Sequence, residues 1–189
     1  MHGYGDYGSR YACVGKYLSE RGYEFATLDQ RGFGNSQGPE GLIEKYEITT
    51  QDNINYHQKY VDTYEYLNDV PKYLMSGSFG SQIILYCHLD KPHFYQGICP
   101  GAPYFRHRDE EDHRKIMWLI NLITKLFSRH YRMNFGYDTR QKPHVEHWDL
   151  DNKHLGMSIS MHTILEFVRS LDNINHHDLF TKIQCHLLI

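Results

Sequence analysis

Short apolar runs suited to β-strands alternate along the chain with segments whose apolar residues recur at helical spacing. That alternation predicts an α/β fold, a parallel sheet with crossover helices. In SRYACVGKYLSER (9–21), Tyr11, Val14 and Leu18 share one face, with Ser9 placed to cap the start and Gly22 to stop the end. YEFATLD (23–29) reads as a strand. Residues 52–68 bring Ile54, Val61, Tyr64 and Leu67 near helical spacing, with Asp52 as the cap and Pro71 closing the element. KYLMSG (72–77) is the next strand, SQIILYCHL (81–89) the next helix and FYQGICP (94–100) a further strand.

Beyond Gly101 the rhythm stops. Charged residues, histidines and aromatics surround one apolar helix at 113–128, the pattern of an inserted subdomain. It resumes with HTILEFVRSL (162–171), where Ile164, Leu165, Phe167, Val168 and Leu171 make a broad apolar face, and QCHLLI (184–189) reads as strand. The division is a core half at 1–101, a cap at 102–161 and the start of a second core half at 162–189.

The 189 residues suffice for one domain with a real core. A net charge of -3, with lysines and arginines scattered, supplies no basic field for phosphate backbones, so nucleic acid is not an expected partner. Cys13, Cys87, Cys99 and Cys185 stand far apart and read as reduced, mostly buried thiols. The opening MHGYGDYGSR has no basic region followed by an apolar run, and a cytoplasmic setting is the expectation. The longest apolar stretch, IMWLINLITKLF (116–127), falls short of the ~20 residues that span a bilayer. Among 14 histidines there is no H-E-x-x-H, and neither His144 with His147 nor NHHD (175–178) has a convincing third and fourth ligand. No metal or other cofactor is expected.

The candidate chemistry sits in SGSFG (76–80). A serine in a tight turn between a parallel strand and a helix holds its hydroxyl above the sheet, beside the positive end of the helix dipole. The usual form is G-x-S-x-G, and here Ser76 takes the first glycine's place. On this motif alone Ser78 is either a nucleophile or one of several serines in a glycine-rich turn.

Two further motifs weigh toward the nucleophile. HGYGDYGSRY (2–11) resembles the H-G-x-G-E-x-x-x-R-Y opening of the monoglyceride lipase and lysophospholipase-like group of α/β-hydrolases, also called serine aminopeptidase S33. LDQRGFGNSQG (28–38) is similar to that group's D-x-R-G-x-G-x-S loop through Asp29, Arg31, Gly32, Gly34 and Ser36. The resemblance covers essentially the whole chain, more loosely over 102–161. It implies an α/β-hydrolase fold, a mostly parallel sheet with an inserted helical cap, and hydrolysis of a carboxylic ester, a monoacylglycerol or a lysophospholipid. Ser78 would be the nucleophile, and the backbone N–H groups of Tyr4 and Phe79 the oxyanion hole. Asp6, standing for the family's glutamate, His2, Asp29 and Arg31 would brace loops.

In such enzymes the acid and the histidine follow the serine on later loops, and no histidine of this chain can be assigned by motif. LFTKIQCHLLI (179–189) resembles the segment leading to the acidic loop. The strand ahead of the H-G loop, central in the sheet between the strands of Asp29 and Ser78, is represented only by Met1. Its two neighbours would be left as buried edges or forced to pair. The expectation is an inactive piece of a longer hydrolase. Its rival is a non-catalytic lipid-binding or scaffold protein, and cap contact with a membrane surface fits either.

Overall fold

The computed structural model describes residues 1–103, 105, 110–126, 128–134, 151, 153, 155 and 158–187. Three parallel strands form the sheet, in the order β1 (Tyr73–Gly77), β2 (Gly97–Gly101), β5 (His186–Leu187). Tyr73 lies opposite Gly97 and Gly77 opposite Gly101, while Ile98 lies opposite Leu187. Between β1 and β2 runs α3 (Phe79–Asp90). Its Ile83, Ile84, Leu85 and Cys87 are wholly buried, because it packs between the strands and two other helices, α2 (Tyr46–Thr63) and α5 (Met161–His176). A helix apolar on all sides has to be a central one.

α2 starts six residues before the predicted position, and Asp52 is not its cap. The first turn is held from elsewhere: the buried carboxylate of Glu166, on α5, accepts a hydrogen bond from the Tyr46 N–H at 3.1 Å. Asp52 lies inside the helix and pairs with Arg31. Ser9 is likewise not a cap. Residues Gly8–Tyr11 form a 3-10 turn, and α1 (Ala12–Ser19) follows with no side-chain cap, ending ahead of Gly22 at φ 81°. For α5 the cap is local, since the Ser160 hydroxyl accepts from the Thr163 N–H at 3.1 Å.

Residues 23–29, expected as a strand, run without a ladder partner, and β1 is the edge of the sheet. The two do not pair with each other. A cleft of about 1140 Å³ separates them, bounded by Phe25, Ala26, Tyr56, Leu74, Met75 and Ile98. The Met1 nitrogen reaches its rim, donating to the Met75 carbonyl at 2.5 Å. Cys13, expected among the buried thiols, is exposed, and all four cysteines are free.

Between β2 and α5 lie α4 (Glu110–Leu126) and a two-stranded antiparallel sheet, β3 (Arg132–Asn134) with β4 (Ser158–Ser160). On α4, Trp118, Leu119 and Leu122 face outward while Ile120 is buried. No helix among the described residues is long and apolar enough to cross a membrane.

Candidate active site

Ser78 stands between β1 and α3 with φ 50° and ψ -123°, a backbone state that a residue with a side chain adopts only under constraint. The constraint is visible. Its N–H donates to the Gly101 carbonyl at 3.0 Å, and its carbonyl accepts from the Ser81 N–H at 2.9 Å. The side chain is exposed, and among the described residues its hydroxyl has no hydrogen-bond partner. Immediately after it, the N–H of Phe79 opens α3, where the first amides carry the positive end of the helix dipole.

Ser76 fits the glycine position because it turns away from the elbow. Its hydroxyl donates to Ser81 Oγ at 3.1 Å, and Ser81 passes a bond to the Gly101 carbonyl at 3.1 Å.

The H-G loop lies against this elbow. A Cβ on Gly3 would stand 3.1 Å from the Gly77 oxygen and 3.2 Å from Ser78 Cβ, and one on Gly80 would stand 2.7 Å from the His2 oxygen. The Gly80 approach requires glycine, and a side chain on Gly3 would press the elbow out of place by a few tenths of an ångström. His2 is buried, with Nδ1–H donating to the Gly3 carbonyl at 2.8 Å and Nε2 accepting from the Gln30 N–H at 2.9 Å. Burial lowers its pKa, and with both nitrogens engaged it is a neutral brace. Gln30 returns a bond from Nε2 to the His2 carbonyl at 2.7 Å.

The other loop residues are occupied in the same way. Asp6 accepts from the Tyr7 N–H, Arg10 and the Tyr11 hydroxyl. Asp29 accepts from the Gly8 N–H at 2.7 Å and the Asn35 N–H at 2.8 Å, joining the two glycine-rich loops. Arg31 forms a bidentate pair with Asp52, both contacts 2.9 Å.

Tyr4, next to Gly3, is tied at its far end. Its hydroxyl lies 3.0 Å from the Gly41 carbonyl and 2.9 Å from that of Ser158, and it accepts from Arg132 Nη2 at 3.3 Å. Burial pushes its pKa up to about 12, so the phenol stays protonated as a donor. The segment around β4 clasps the same loop, through the Leu155 N–H to the Gly5 carbonyl and Tyr7 to Asp151. Arg132 and Phe167, which packs on Tyr4 and Phe79, carry no local motif that a sequence reading could find.

The three motifs of the sequence are thus linked, with Gly3 packed against Gly77 and Ser78 and Asp29 bonded to Gly8 of the same loop. The family described as "Serine aminopeptidase, S33" matches residues 1–189. The chain belongs to that family. Similarity to other S33-like proteins is distant but broad. The Schizosaccharomyces pombe protein named "Putative monoglyceride lipase" is 27% identical over 163 residues, 82% of this chain and 40% of that protein. A soluble variant of monoglyceride lipase from Saccharomyces cerevisiae, solved with a substrate analog, superposes with a TM-score of 0.77 at 21% identity, over 98% of this chain and 63% of the other. The monoacylglycerol lipase of Paleococcus ferrophilus gives 0.74 at 16% identity, over 99% and 69%. The fold is that of the α/β-hydrolases. The S33 chain described here therefore spans two fifths of its Schizosaccharomyces relative and about two thirds of these solved chains.

Within the S33 chain no histidine or carboxylate among the described residues accepts from Ser78. His144 and His147 lie outside those residues, and no group of three His, Cys, Asp or Glu among them could hold a metal ion.

Proposed function

We propose that Ser78 is the nucleophile of a serine hydrolase that cleaves carboxylic esters of lipids, a monoacylglycerol or a lysophospholipid, through an acyl-enzyme. The observation that carries this reading is the elbow: an exposed serine hydroxyl on strained backbone at a helix N-terminus, with a second loop packed on it. The Ser78 oxygen attacks the ester carbonyl, and the N–H groups of Phe79 and Tyr4 receive the oxyanion. The alcohol leaves with the proton that Ser78 gives up and the acyl group stays on Ser78; water then adds to that ester, and one of its protons restores the serine hydroxyl as the fatty acid departs. The names of the yeast and archaeal relatives supply the lipid class.

Residues 102–161 act as the cap, and α4 turns Trp118, Leu119 and Leu122 toward a lipid surface. With no base on Ser78 among the described residues, turnover by this chain is expected to fall on the order of 10^4 to 10^6 below that of a complete triad.

The test is a fluorophosphonate probe with the adduct located by mass spectrometry. Labelling at Ser78 that disappears in Ser78→Ala supports the nucleophile. An unlabelled chain that still binds fatty acid points instead to a non-catalytic lipid-binding protein. A hydrolysis rate near that of a full lipase refutes the inactivity.

A further inference from the structure

The two residues assigned to the oxyanion hole lie 75 positions apart, on separate loops, and their N–H groups serve one oxygen only if the loops hold a fixed spacing. One side chain touches both. The ring of Phe167, on α5, packs on Phe79 with centroids 4.3 Å apart and planes tilted 30°, and meets Tyr4 at 5.5 Å and 79°, edge to face. On its other flank Tyr4 is backed by Phe33 at 5.3 Å, which in turn meets His2 at 5.6 Å. Tyr4 is wedged between the two rings.

Phe167 is itself held in place. Glu166 beside it bonds the first turn of α2, and Thr163, one turn earlier, accepts from the Ile43 N–H at 3.0 Å and lies 3.3 Å from the Gly41 carbonyl. β4 runs directly into α5 and pairs with β3, whose Arg132 donates to the Tyr4 hydroxyl. A single unit of hairpin and helix therefore grips Tyr4 at its ring and at its hydroxyl, and also grips Phe79.

We propose that Phe167 is a positioning residue that sets the spacing of the two oxyanion donors while touching no reacting atom. The inference rests on reading Tyr4 and Phe79 as those donors. Deleting one such donor slows catalysis by about 10²–10³. Letting a donor shift without removing it is expected to slow the reaction about tenfold.

The experiment uses the full 189-residue chain with Phe167→Ala, Phe167→Leu and Phe167→Tyr. Leucine retains apolar bulk where alanine endangers folding. Phosphonylation of Ser78 is followed at increasing fluorophosphonate concentration, and amide exchange is followed in peptides covering 1–8 and 73–77. The alanine and leucine variants are expected to lower the limiting rate about tenfold with the half-saturation concentration within about twofold, while tyrosine stays close to wild type. Exchange should quicken in 1–8, where the Asp6 and Gly8 amides are bonded, and not in β1. An unchanged limiting rate overturns the proposal, as does unchanged exchange in 1–8 or exchange that rises equally in both peptides. If the wild-type chain takes no label, the nucleophile reading fails. The oxyanion role of Phe167 falls with it, and exchange then reads only whether Phe167 holds the loop at 1–8.

Discussion

Replacing Glu166 separates a tertiary helix cap from an ion pair. Its carboxylate makes two kinds of contact: Oε2 accepts from the buried Tyr46 N–H at 3.1 Å, and Oε1 accepts from Arg169 at 2.7 Å. Alanine removes both and leaves the first donor of α2 buried without a partner. Loss of a cap costs about 0.5–2 kcal/mol, and an unsatisfied buried donor about 1–3 kcal/mol. The two overlap, so about 2–4 kcal/mol is expected in total. For a chain of this size each kcal/mol moves the melting midpoint by about 2–4 °C, which gives a fall on the order of 8 °C. Glu166→Gln keeps an oxygen for Tyr46 but turns its NH2 toward Arg169, so it loses the acceptor as well as the charge opposite that half-exposed guanidinium, which keeps Glu47 as a partner. Because Arg169 can stay on Glu47 and reach water, losing this contact is expected to cost about 1 kcal/mol, so glutamine should melt within about 4 °C of wild type. Thermal unfolding by circular dichroism and calorimetry measures both. Equal losses for alanine and glutamine would show that the charge, not the cap, fixes the start of α2, and would refute the reasoning.

Stability should also fall in mild acid. Burial pushes the His57 pKa down to about 4, so between pH 6.5 and 4 the unfolded chain binds the extra proton. The stabilisation present above pH 6.5 is lost as pH falls, by about 3 kcal/mol in full. Urea melts of wild type and His57→Gln at pH 7 and 4.5 should show a shallower decline in the variant, although His2, lowered in the same direction, keeps part of the slope. Gly80→Ala sets a methyl group 2.7 Å from the His2 oxygen. Overpacking of about 1–3 kcal/mol outweighs the helix propensity gained, and both the melting midpoint and the labelling rate of Ser78 should drop. Trp118→Ser with Leu122→Ser should weaken cosedimentation with phosphatidylcholine vesicles at least about fivefold without moving the melt, since both side chains are exposed.

The parts of the molecule that answer to local chemistry were legible in the sequence. β1, α3 and β2 lie close to their predicted bounds because apolar runs, small elbow residues and short spacing act within a dozen positions. The place of Ser78 between β1 and α3, and of His2 and Asp29 on bonded loops, followed from motifs of similarly short range. What the sequence hides is supplied from a distance. α2 takes its cap from a residue 120 positions away, which is why Asp52 drew attention that belonged to Glu166. Residues 23–29 have strand composition, but a strand exists only where a neighbour completes its ladder. Phe167 sits in a run that reads as ordinary helical core, and nothing in its spacing distinguishes the one ring that meets Tyr4 and Phe79 from the leucines beside it.

The edge position of β1 also governs how the chain behaves at concentration. Among the described residues no strand pairs with the free side of β1, where Tyr73 and Met75 are exposed, Met1 covers one carbonyl, and Pro71 and Lys72 stand at its start. Such an edge offers a template to any extended segment that drifts past, including the same segment of another molecule. Refolding and self-association then compete, the first independent of concentration and the second rising with it. Recovery of native chain should therefore be highest in dilute solution, and the aggregates that form otherwise should carry β-structure seeded at 73–77.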